Sequence, residues 1–341
     1  MSTHDIRRLG RAGAKAGAAA LATGLALAGA AAPAGASSDD ENTAVVADDT
    51  LVVTASNGDD SLALRLAAGN TAVLEVDFGD DGTADASVDR ATFSRIEVFT
   101  LRGNDSYRVD QVNGAFADEA ATVDGGSGDD TLAGGDGAEV FHGQSGSDAV
   151  DGNRGNDTGI LGSGTDSFRW DPGDGSDIVE GERGVDTLDF NGAGVAETMS
   201  LTPDGERALF LRDVATIRMD MDGVERLDLT ALGNTDKVTI ENMEGTDFRR
   251  ADIDLQGPAG GGDAAVDQVI VNGTEDRDIV SVRSRHGAVK VDGLQVQTSI
   301  TGHEVTDQLQ VSTFGGNDKV FVAPDAAAAI GVTVDEGDGE S

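Results

Sequence analysis

Short apolar runs alternate with polar turns rich in Gly and Asp along most of the chain. Runs of this length, bounded by turn residues, predict short β-strands. Thr198–Leu201 and Ala208–Leu211, joined across Pro203-Asp204-Gly205, predict a hairpin. The pattern therefore predicts an all-β fold. The other predicted strands are Leu51–Val53, Leu62–Leu66, Ala72–Val76, Ile96–Leu101, Tyr107–Val109, Leu227–Leu229, Val238–Ile240, Gln268–Val271, Ile279–Val282 and Val320–Val322.

Between residues 125 and 189 the same alternation has a strict nine-residue period. The fourth position is Gly and the sixth is a carboxylate in all seven units, and the eighth is apolar in all but the unit of Gly159. A fixed period of this kind indicates a repeat architecture in which each unit is one turn and one short strand. The units are GGSGDDTLA, GGDGAEVFH, GQSGSDAVD, GNRGNDTGI, LGSGTDSFR, PGDGSDIVE and GERGVDTLD, with Trp170 and Asp171 inserted before the sixth.

The turn of each unit is rich in oxygen donors. Gly at the first, second and fourth positions permits positive φ and lets main-chain carbonyl groups turn inward. The carboxylate at the sixth position adds an anionic oxygen. Carbonyl and carboxylate oxygens, without nitrogen or sulfur, are the ligands that Ca²⁺ prefers. The apolar eighth position predicts a strand residue that faces the interior.

The pattern G-G-x-G-x-D-x-U-x resembles the calcium-binding nonapeptide of RTX (repeats-in-toxin, haemolysin-type) proteins. The resemblance implies a parallel β-roll in which successive turns lie on opposite edges and each Ca²⁺ lies between one repeat and the next but one. It implies about three such sites in the five uninterrupted units and one or two more in the last two. The metal-site residues that it implies are Gly125, Gly126, Gly128, Asp130, Gly134, Gly135, Gly137, Glu139, Gly143, Gly146, Asp148, Gly152, Gly155, Asp157, Gly164, Asp166, Gly175, Asp177, Gly184 and Asp186.

Some units depart from this pattern. Glu139 is one methylene longer than Asp, which predicts a distorted site at that turn. We expect the sites built around residues 125–157 to be the best preserved. The other substituted positions are Gln144, Asn153 and Glu182 for the second Gly, and Leu161 and Pro172 for the first.

Single, degenerate copies of the turn occur outside the repeat block. Residues 58–60, 103–105 and 315–318 keep the Gly-to-Asp spacing, whereas residues 233–236 and 273–276 place the Asp one residue late. With the predicted strands, these copies predict a parallel β-roll or β-solenoid with β-rich flanks. The predicted regions are 37–123 (β-rich), 124–191 (β-roll), 192–333 (β-rich, with a Gly-rich loop at 257–265) and 334–341 (acidic tail).

Residues 1–36 have the pattern of an export signal. Arg7, Arg8, Arg11 and Lys15 precede an Ala-, Gly- and Leu-rich stretch, and Ala34-Gly35-Ala36 supplies a small-x-small cleavage site. The stretch is too short and too mildly apolar for a membrane span, which needs about 20 strongly apolar residues. We therefore expect an extracellular or cell-surface protein with no membrane span after signal removal.

Composition narrows the possible partners. The chain of 341 residues has 63 acidic and 24 basic side chains, a net charge of −39, and no Cys. A polyanion of this strength repels nucleic acid and anionic lipid, and the absence of Cys excludes disulfides, thiolate metal sites and Cys nucleophiles. The sequence leaves open whether a protein or a polysaccharide binds to it.

Catalytic motifs do not emerge from the sequence. Residues 77–82 resemble the start of an EF-hand loop, but Gly79 takes a ligand position and Val88 stands where the bidentate Glu is needed. No zinc-protease motif and no nucleophile elbow is present. Two functions remain: a non-enzymatic exported calcium-binding protein, or an extracellular β-solenoid polysaccharide lyase or epimerase carrying an RTX module. The scarcity of basic and aromatic residues favours the first.

Overall fold

The computed structural model describes residues 42–337. The predicted export signal and residues 338–341 lie outside this range. Within it, two fourteen-stranded sheets and a small three-stranded sheet account for the strands. Most neighbouring strands in the two large sheets run parallel, which confirms the predicted all-β parallel roll or solenoid.

The strands are short, as the brief apolar runs predict. The first eighteen are β1 Thr43–Ala47, β2 Thr50–Thr54, β3 Ser61–Ala67, β4 Asn70–Phe78, β5 Ala86–Asp89, β6 Arg95–Phe99, β7 Ser106–Asp110, β8 Ala120–Asp124, β9 Thr131–Ala133, β10 Glu139–His142, β11 Ser145–Gly146, β12 Ala149–Asp151, β13 Thr158–Ile160, β14 Ser163–Gly164, β15 Ser167–Trp170, β16 Ile178–Glu180, β17 Arg183–Gly184 and β18 Thr187–Asn191. The remaining strands are β19 Thr198–Asp204, β20 Arg207–Arg212, β21 Ile217–Asp222, β22 Arg226–Thr230, β23 Lys237–Ile240, β24 Arg250–Asp254, β25 Gln268–Asn272, β26 Ile279–Arg285, β27 Ala288–Asp292, β28 Gln297–Thr301, β29 Gln308–Ser312, β30 Lys319–Val322 and β31 Gly331–Asp335. The helical segments are an α-helix at Pro324–Ala329 and 3₁₀ turns at Arg90–Thr92 and Val214–Thr216.

The chain passes alternately between the two large sheets. Sheet one has the order β1-β2-β6-β8-β10-β13-β16-β21-β20-β19-β23-β25-β29-β31, and sheet two has the order β30-β26-β27-β28-β24-β22-β18-β15-β12-β9-β7-β3-β4-β5. In the repeat block, each strand pairs with the strand two repeats later, as β10 does with β13 and β12 with β15. The arrangement of alternating edges implied by the resemblance is therefore confirmed.

The eighth repeat position forms the core between the sheets. Leu132, Val150, Phe168 and Leu188 lie in register on sheet two and are fully buried. The exception, Gly159, has a packing reason: a Cβ at this position would lie 2.7 Å from the Phe168 ring, so the ring occupies the space of the missing side chain. The pattern thus tolerates Gly where a larger neighbour fills the core.

Hairpins interrupt the roll without breaking it. β19 and β20 pair antiparallel and confirm the predicted hairpin, whose tip is Gly205-Glu206.

The inserted Trp170 lies opposite Phe190, with the two rings stacked at 4.2 Å between centroids, and donates its indole N–H to the Gly175 carbonyl. Both large sheets continue across the predicted region boundaries at 123/124 and 191/192.

The last strand and the α-helix lie at the C-terminal end of the roll. Ala326 of the helix is fully buried, and β31 extends sheet one. β31 includes Val334 and Asp335, so the first two residues of the predicted acidic tail are part of the sheet. None of the helices within residues 42–337 has the length and apolarity that crossing a membrane requires.

Candidate metal centre

The carboxylates of the sixth repeat position form hydrogen-bonded columns along both edges of the roll. On the turns that lead into sheet two, the main-chain N–H of Asp130 donates to Oδ1 of Asp148, and that of Asp148 donates to Oδ1 of Asp166, at 2.9 and 2.8 Å. Asp166 donates in the same way to Asp186 at 2.9 Å. On the turns that lead into sheet one, Glu139 donates to Asp157 and Asp157 to Asp177, both at 2.8 Å. Each carboxylate is therefore anchored through one oxygen to the preceding turn.

The second oxygen of most of these carboxylates has no such anchor. Within the repeat block, Oδ2 of five residues is buried and accepts no hydrogen bond from protein. A buried anionic oxygen without a partner is costly unless a cation or a proton satisfies it. These positions are therefore suited to a bound cation. The five residues are Asp130, Asp148, Asp157, Asp166 and Asp186.

Glycine at the first repeat position makes room for this oxygen. A Cβ on Gly125 would lie 2.6 Å from Oδ2 of Asp130, and one on Gly143 would lie 2.5 Å from Oδ2 of Asp148. The same overlap occurs at Gly134, with Glu139, and at Gly152, with Asp157. None of these four has positive φ. The sequence-based reason for Gly here, positive φ, was wrong; close approach of the carboxylate replaces it, joined at Gly134 and Gly143 by a main-chain carbonyl oxygen of another turn.

Glycine at the fourth position allows the turns to stack. A Cβ on Gly146 would lie far inside the 3.0 Å that real Cβ atoms keep from the Gly128 carbonyl oxygen, and Gly164 is related to Gly146 in the same way. The backbone at Gly146 also has φ +145°. Two separate causes therefore exclude a side chain at this position: the positive φ of the backbone and the carbonyl oxygen of the adjacent turn. The other fourth-position residues with such an overlap are Gly128, Gly155, Gly175 and Gly184, while the nearest atom at Gly137 is a Glu139 carboxylate oxygen at 2.6 Å.

The second repeat position adopts positive φ even where it is not Gly. Gly126 has φ +88°, and the substituted Gln144, Asn153 and Glu182 have φ +70°, +55° and +63°. Gly135, the other glycine predicted here, does not have positive φ, and a Cβ there would lie 2.9 Å from Val109. The three substitutions therefore keep the turn geometry at a cost in strain.

Replacing Glu182 with Gly is expected to stabilise the fold by about 1 kcal/mol, because a non-Gly residue in the left-handed region costs roughly 1–2 kcal/mol, partly offset by the flexibility of Gly in the unfolded chain. Urea unfolding in saturating Ca²⁺ measures the change. The matched control is Arg183→Gly at the adjacent exposed residue, which lies in β17 without positive φ and is expected to lose about 0.5–1 kcal/mol. Equal effects of the two changes would contradict the strain at Glu182.

Burial raises the pKa of the column carboxylates. Desolvation is the largest cause throughout, followed by a smaller opposing contribution from the hydrogen bond with the main chain. The pKa rises to about 7 for Asp148, Asp177 and Asp186, to about 6 for Asp130 and to about 9 for Asp157. Neighbouring carboxylates add to the rise, so the columns favour binding of protons or metal cations.

The Glu139 turn differs from the others. Oε2 of Glu139 accepts the N–H of Gly135 in its own turn at 3.1 Å, so the longer side chain satisfies its oxygen locally. No three His, Asp or Glu side chains converge on a common metal position within residues 42–337. Within these residues, the acidic side chains of the turns do not by themselves supply three ligands at one point.

Comparison with known families identifies these turns. The family model of the RTX calcium-binding nonapeptide repeat (four copies) matches residues 124–159, 133–168 and 173–192. The block consists of RTX calcium-binding repeats. RTX nonapeptide repeats bind Ca²⁺, and the buried, unpartnered oxygens of the column fit a cation of this kind. No curated protein matches the chain.

The carboxylate column extends beyond the RTX turns. The N–H of Asp60 donates to Asp105, and that of Asp105 to Asp130, at 2.7 and 2.8 Å. At the other end, Asp186 donates to Glu225. The degenerate copies at 58–60 and 103–105 are therefore part of the same column. Asp105 also has a buried Oδ2 without a partner.

The prediction that the Asp lies one residue late in two other degenerate copies was wrong. At residues 233–236 the Asp is not late, because Ala231 occupies the first position and Asp236 the sixth, and Asn234 takes the fourth with φ +74°. At residues 273–276 the column residue is Asp278, whose N–H donates to Asp318 at 2.9 Å, and not Asp276. Counting from Gly273 as the first position would have found Asp278, whereas Ala231 gives the sequence no marker for the first position of the Asp236 turn.

Proposed function

We propose that this chain is an exported, non-enzymatic calcium-binding protein whose β-roll is ordered by Ca²⁺ held between stacked turns. The twenty residues predicted from the repeat form these turns. Sixth-position carboxylates supply anionic oxygens, and glycines at the first, second and fourth positions supply the space and the conformation. Bound Ca²⁺ supplies the positive charge that these oxygens lack.

One observation carries the proposal: the column of buried Oδ2 atoms without a hydrogen-bond partner. A merely structural turn has no need of a charge at the sixth position, since Asn also supplies an oxygen that accepts the neighbouring N–H and carries no buried charge. The chain has a carboxylate in all seven units instead. The retained charge supports a ligand role.

The charge of the whole chain supports the same function. A net charge of −39 opposes compaction through self-repulsion. Each Ca²⁺ bound at a column offsets two negative charges at the place where carboxylates are closest together. The predicted export signal would deliver the chain to an exterior in which Ca²⁺ is available at the roughly 10⁻⁴–10⁻³ M that extracellular modules require.

Calorimetric titration of the metal-free chain with Ca²⁺ tests the binding. We expect about five ions, one for each RTX carboxylate with an unpartnered oxygen, and weaker binding of Mg²⁺, which demands a smaller octahedral site. Asp148→Asn is expected to lower the ion count, because it removes a ligand oxygen and keeps the acceptor of the Asp130 N–H. An unchanged count and unchanged affinities in Asp148→Asn would contradict the proposal.

The non-enzymatic part has its own test. Incubation with uronate polymers, with and without Ca²⁺, is expected to leave their chain length and epimer ratio unchanged. Depolymerisation or epimerisation by the purified chain would replace this part of the proposal with the alternative, a polysaccharide lyase or epimerase on a β-solenoid scaffold. The calcium-binding part would stand in either case.

A further inference from the structure

A second stretch of carboxylate column lies beyond the RTX repeats, on the turns that lead into sheet one. The main-chain N–H of Glu197 donates to Oδ1 of Asp236 at 2.9 Å, and the N–H of Asp236 donates to Oδ1 of Asp267 at 2.8 Å. Asp267 donates to Asp307 at 3.1 Å. The contact is the same as between RTX turns. These turns, however, are separated by 31 to 40 residues and have no nonapeptide motif.

Asp236 is the member of this stretch that resembles an RTX ligand. Its side chain is 1 % exposed, Oδ1 accepts the Glu197 N–H, and Oδ2 is buried without a partner. Two other carboxylates of the stretch, Glu197 and Asp307, are satisfied differently. Glu197 forms a buried ion pair with Arg212, and Oδ2 of Asp307 accepts the N–H of Glu304 at 2.5 Å. An unsatisfied anionic oxygen therefore remains at Asp236.

The surroundings of Asp236 are negative. Burial disfavours the ionised form of Asp236 most strongly, the hydrogen bond from the Glu197 N–H opposes this, and the charges of Asp267, Glu197 and Asp263 add to the effect of burial. The nearby Arg212 is already engaged, since its guanidinium binds Glu197 and the Val214 carbonyl and lies 5.1 Å from the centre of the Trp170 ring. A cation for Asp236 must therefore come from solution.

We propose that a Ca²⁺ ion binds at Asp236, in a turn outside the RTX repeats. The ligand that the structure shows is the unpartnered carboxylate oxygen of Asp236, and an anionic oxygen of this kind favours a hard cation such as Ca²⁺. Within residues 42–337, three acidic side chains converge on one point neither at Asp236 nor at the RTX turns. The turn at Asp236 and the RTX turns are therefore alike in this respect. The inference rests on the proposed function of the RTX turns, since it assigns to Asp236 the chemistry of Asp148.

Asp236→Asn is the direct test. Asn keeps an oxygen for the Glu197 N–H and replaces the unpartnered oxygen with an amide NH₂, which cannot bind a cation. Native mass spectrometry of the full chain in Ca²⁺ is expected to show one ion fewer than in the wild type. The matched control is Asp276→Asn. Asp276 is exposed and was the Asp predicted for the degenerate copy at residues 273–276, but Asp278 takes its place in the column, so this variant is expected to keep the wild-type ion count.

A parallel variant, Asp130→Asn, separates this inference from the proposed function. Loss of an ion in Asp130→Asn with a full count in Asp236→Asn would overturn the Asp236 site alone, and the buried group would then be a neutral carboxylic acid. Full counts in both variants would overturn the RTX function as well.

A crystal of the wild-type chain grown with Tb³⁺ keeps the inference testable if Asp236→Asn fails to fold. An anomalous peak beside Oδ2 of Asp236 is expected, together with peaks at the RTX turns. Peaks at Asp148 and Asp166 without one at Asp236 would overturn the site.

Discussion

Removal of Ca²⁺ at pH 8 is expected to unfold the β-roll. Without metal, five buried carboxylates of the RTX turns keep an oxygen without a partner, and at pH 8 most of them are driven to ionise. At free Ca²⁺ ten times above Kd, each independent site adds about 1.4 kcal/mol, so five sites supply about 7 kcal/mol. This is comparable to the whole stability of a domain. Circular dichroism of metal-free protein, titrated with Ca²⁺, measures the change.

Acidification of the metal-free protein is expected to restore part of the fold. The ordinary pKa of an Asp carboxyl, 3.8, is raised to about 7 in the fold at Asp148, Asp177 and Asp186. The folded state therefore binds more protons than the unfolded state between these values. Its stability is then greatest at low pH and is lost as the pH rises through about 6 to 9. We expect a higher thermal midpoint at pH 5 than at pH 8 without metal.

Two controls make this result specific to the columns. In saturating Ca²⁺ the dependence of the thermal midpoint on pH should reverse or vanish, because the metal replaces the protons and binds better as the pH rises. A variant with Asp130→Asn, Asp148→Asn and Asp166→Asn together should have a flatter profile in metal-free buffer, since three of the titrating groups are gone. A strand-rich spectrum at pH 8 in metal-free buffer, unmoved by Ca²⁺, would contradict the prediction.

Replacing Gly146 with Ala is expected to cost about 4 kcal/mol or more, which is exceptional for one methyl group. The new Cβ would overlap the Gly128 carbonyl oxygen, and the backbone at φ +145° disfavours any side chain. Relief of the overlap must separate the stacked turns and lengthen the contacts between β11 and the preceding turn at Ser127 and Gly128. Thermal unfolding in saturating Ca²⁺ measures the loss of stability.

Gly205→Ala is the matched control for Gly146→Ala. Gly205 also has positive φ, +72°, but a Cβ there meets no atom within 4 Å. Its cost should be limited to the conformational strain of roughly 1–2 kcal/mol. The additional loss of stability in Gly146→Ala, compared with Gly205→Ala, then measures the contribution of turn stacking. Equal losses in the two variants would show that stacking contributes nothing.

The repeat block was predictable because its physical requirements coincide with a fixed spacing. Apolar residues at the eighth position must face the core, and the sixth-position carboxylate must reach the preceding turn, so a nine-residue period identifies both. The hairpin at Thr198–Asp204 and Arg207–Arg212 was also predictable. Its determinants, two short apolar runs and the turn residues between them, are adjacent in the sequence. Alternation of the edges followed from the family resemblance.

The column outside the block could not be predicted from spacing. Insertions such as the hairpin of β19 and β20 change the separation between stacked turns, so Glu197 and Asp236 are neighbours in space although 39 residues separate them. The turn at Asp236 also replaces the diagnostic fourth-position Gly with Asn234, which tolerates the left-handed conformation. Contact across the edge, and not sequence distance, reveals these residues.

The hydrogen bonds that join the main-chain N–H of one sixth-position residue to the carboxylate of another all point the same way along the roll. Each main-chain N–H donates to the carboxylate of the following turn, as Asp130 does to Asp148 and Asp148 to Asp166. The sixth-position N–H of each turn is therefore satisfied by the C-terminal neighbour, and for this set of hydrogen bonds the two ends of a shortened roll are not equivalent. A cut on the C-terminal side exposes an N–H that water satisfies readily, whereas a cut on the N-terminal side frees both oxygens of a carboxylate. The roll thus has a polarity, and growth of ordered structure from its C-terminal end would present each arriving turn with a ready acceptor.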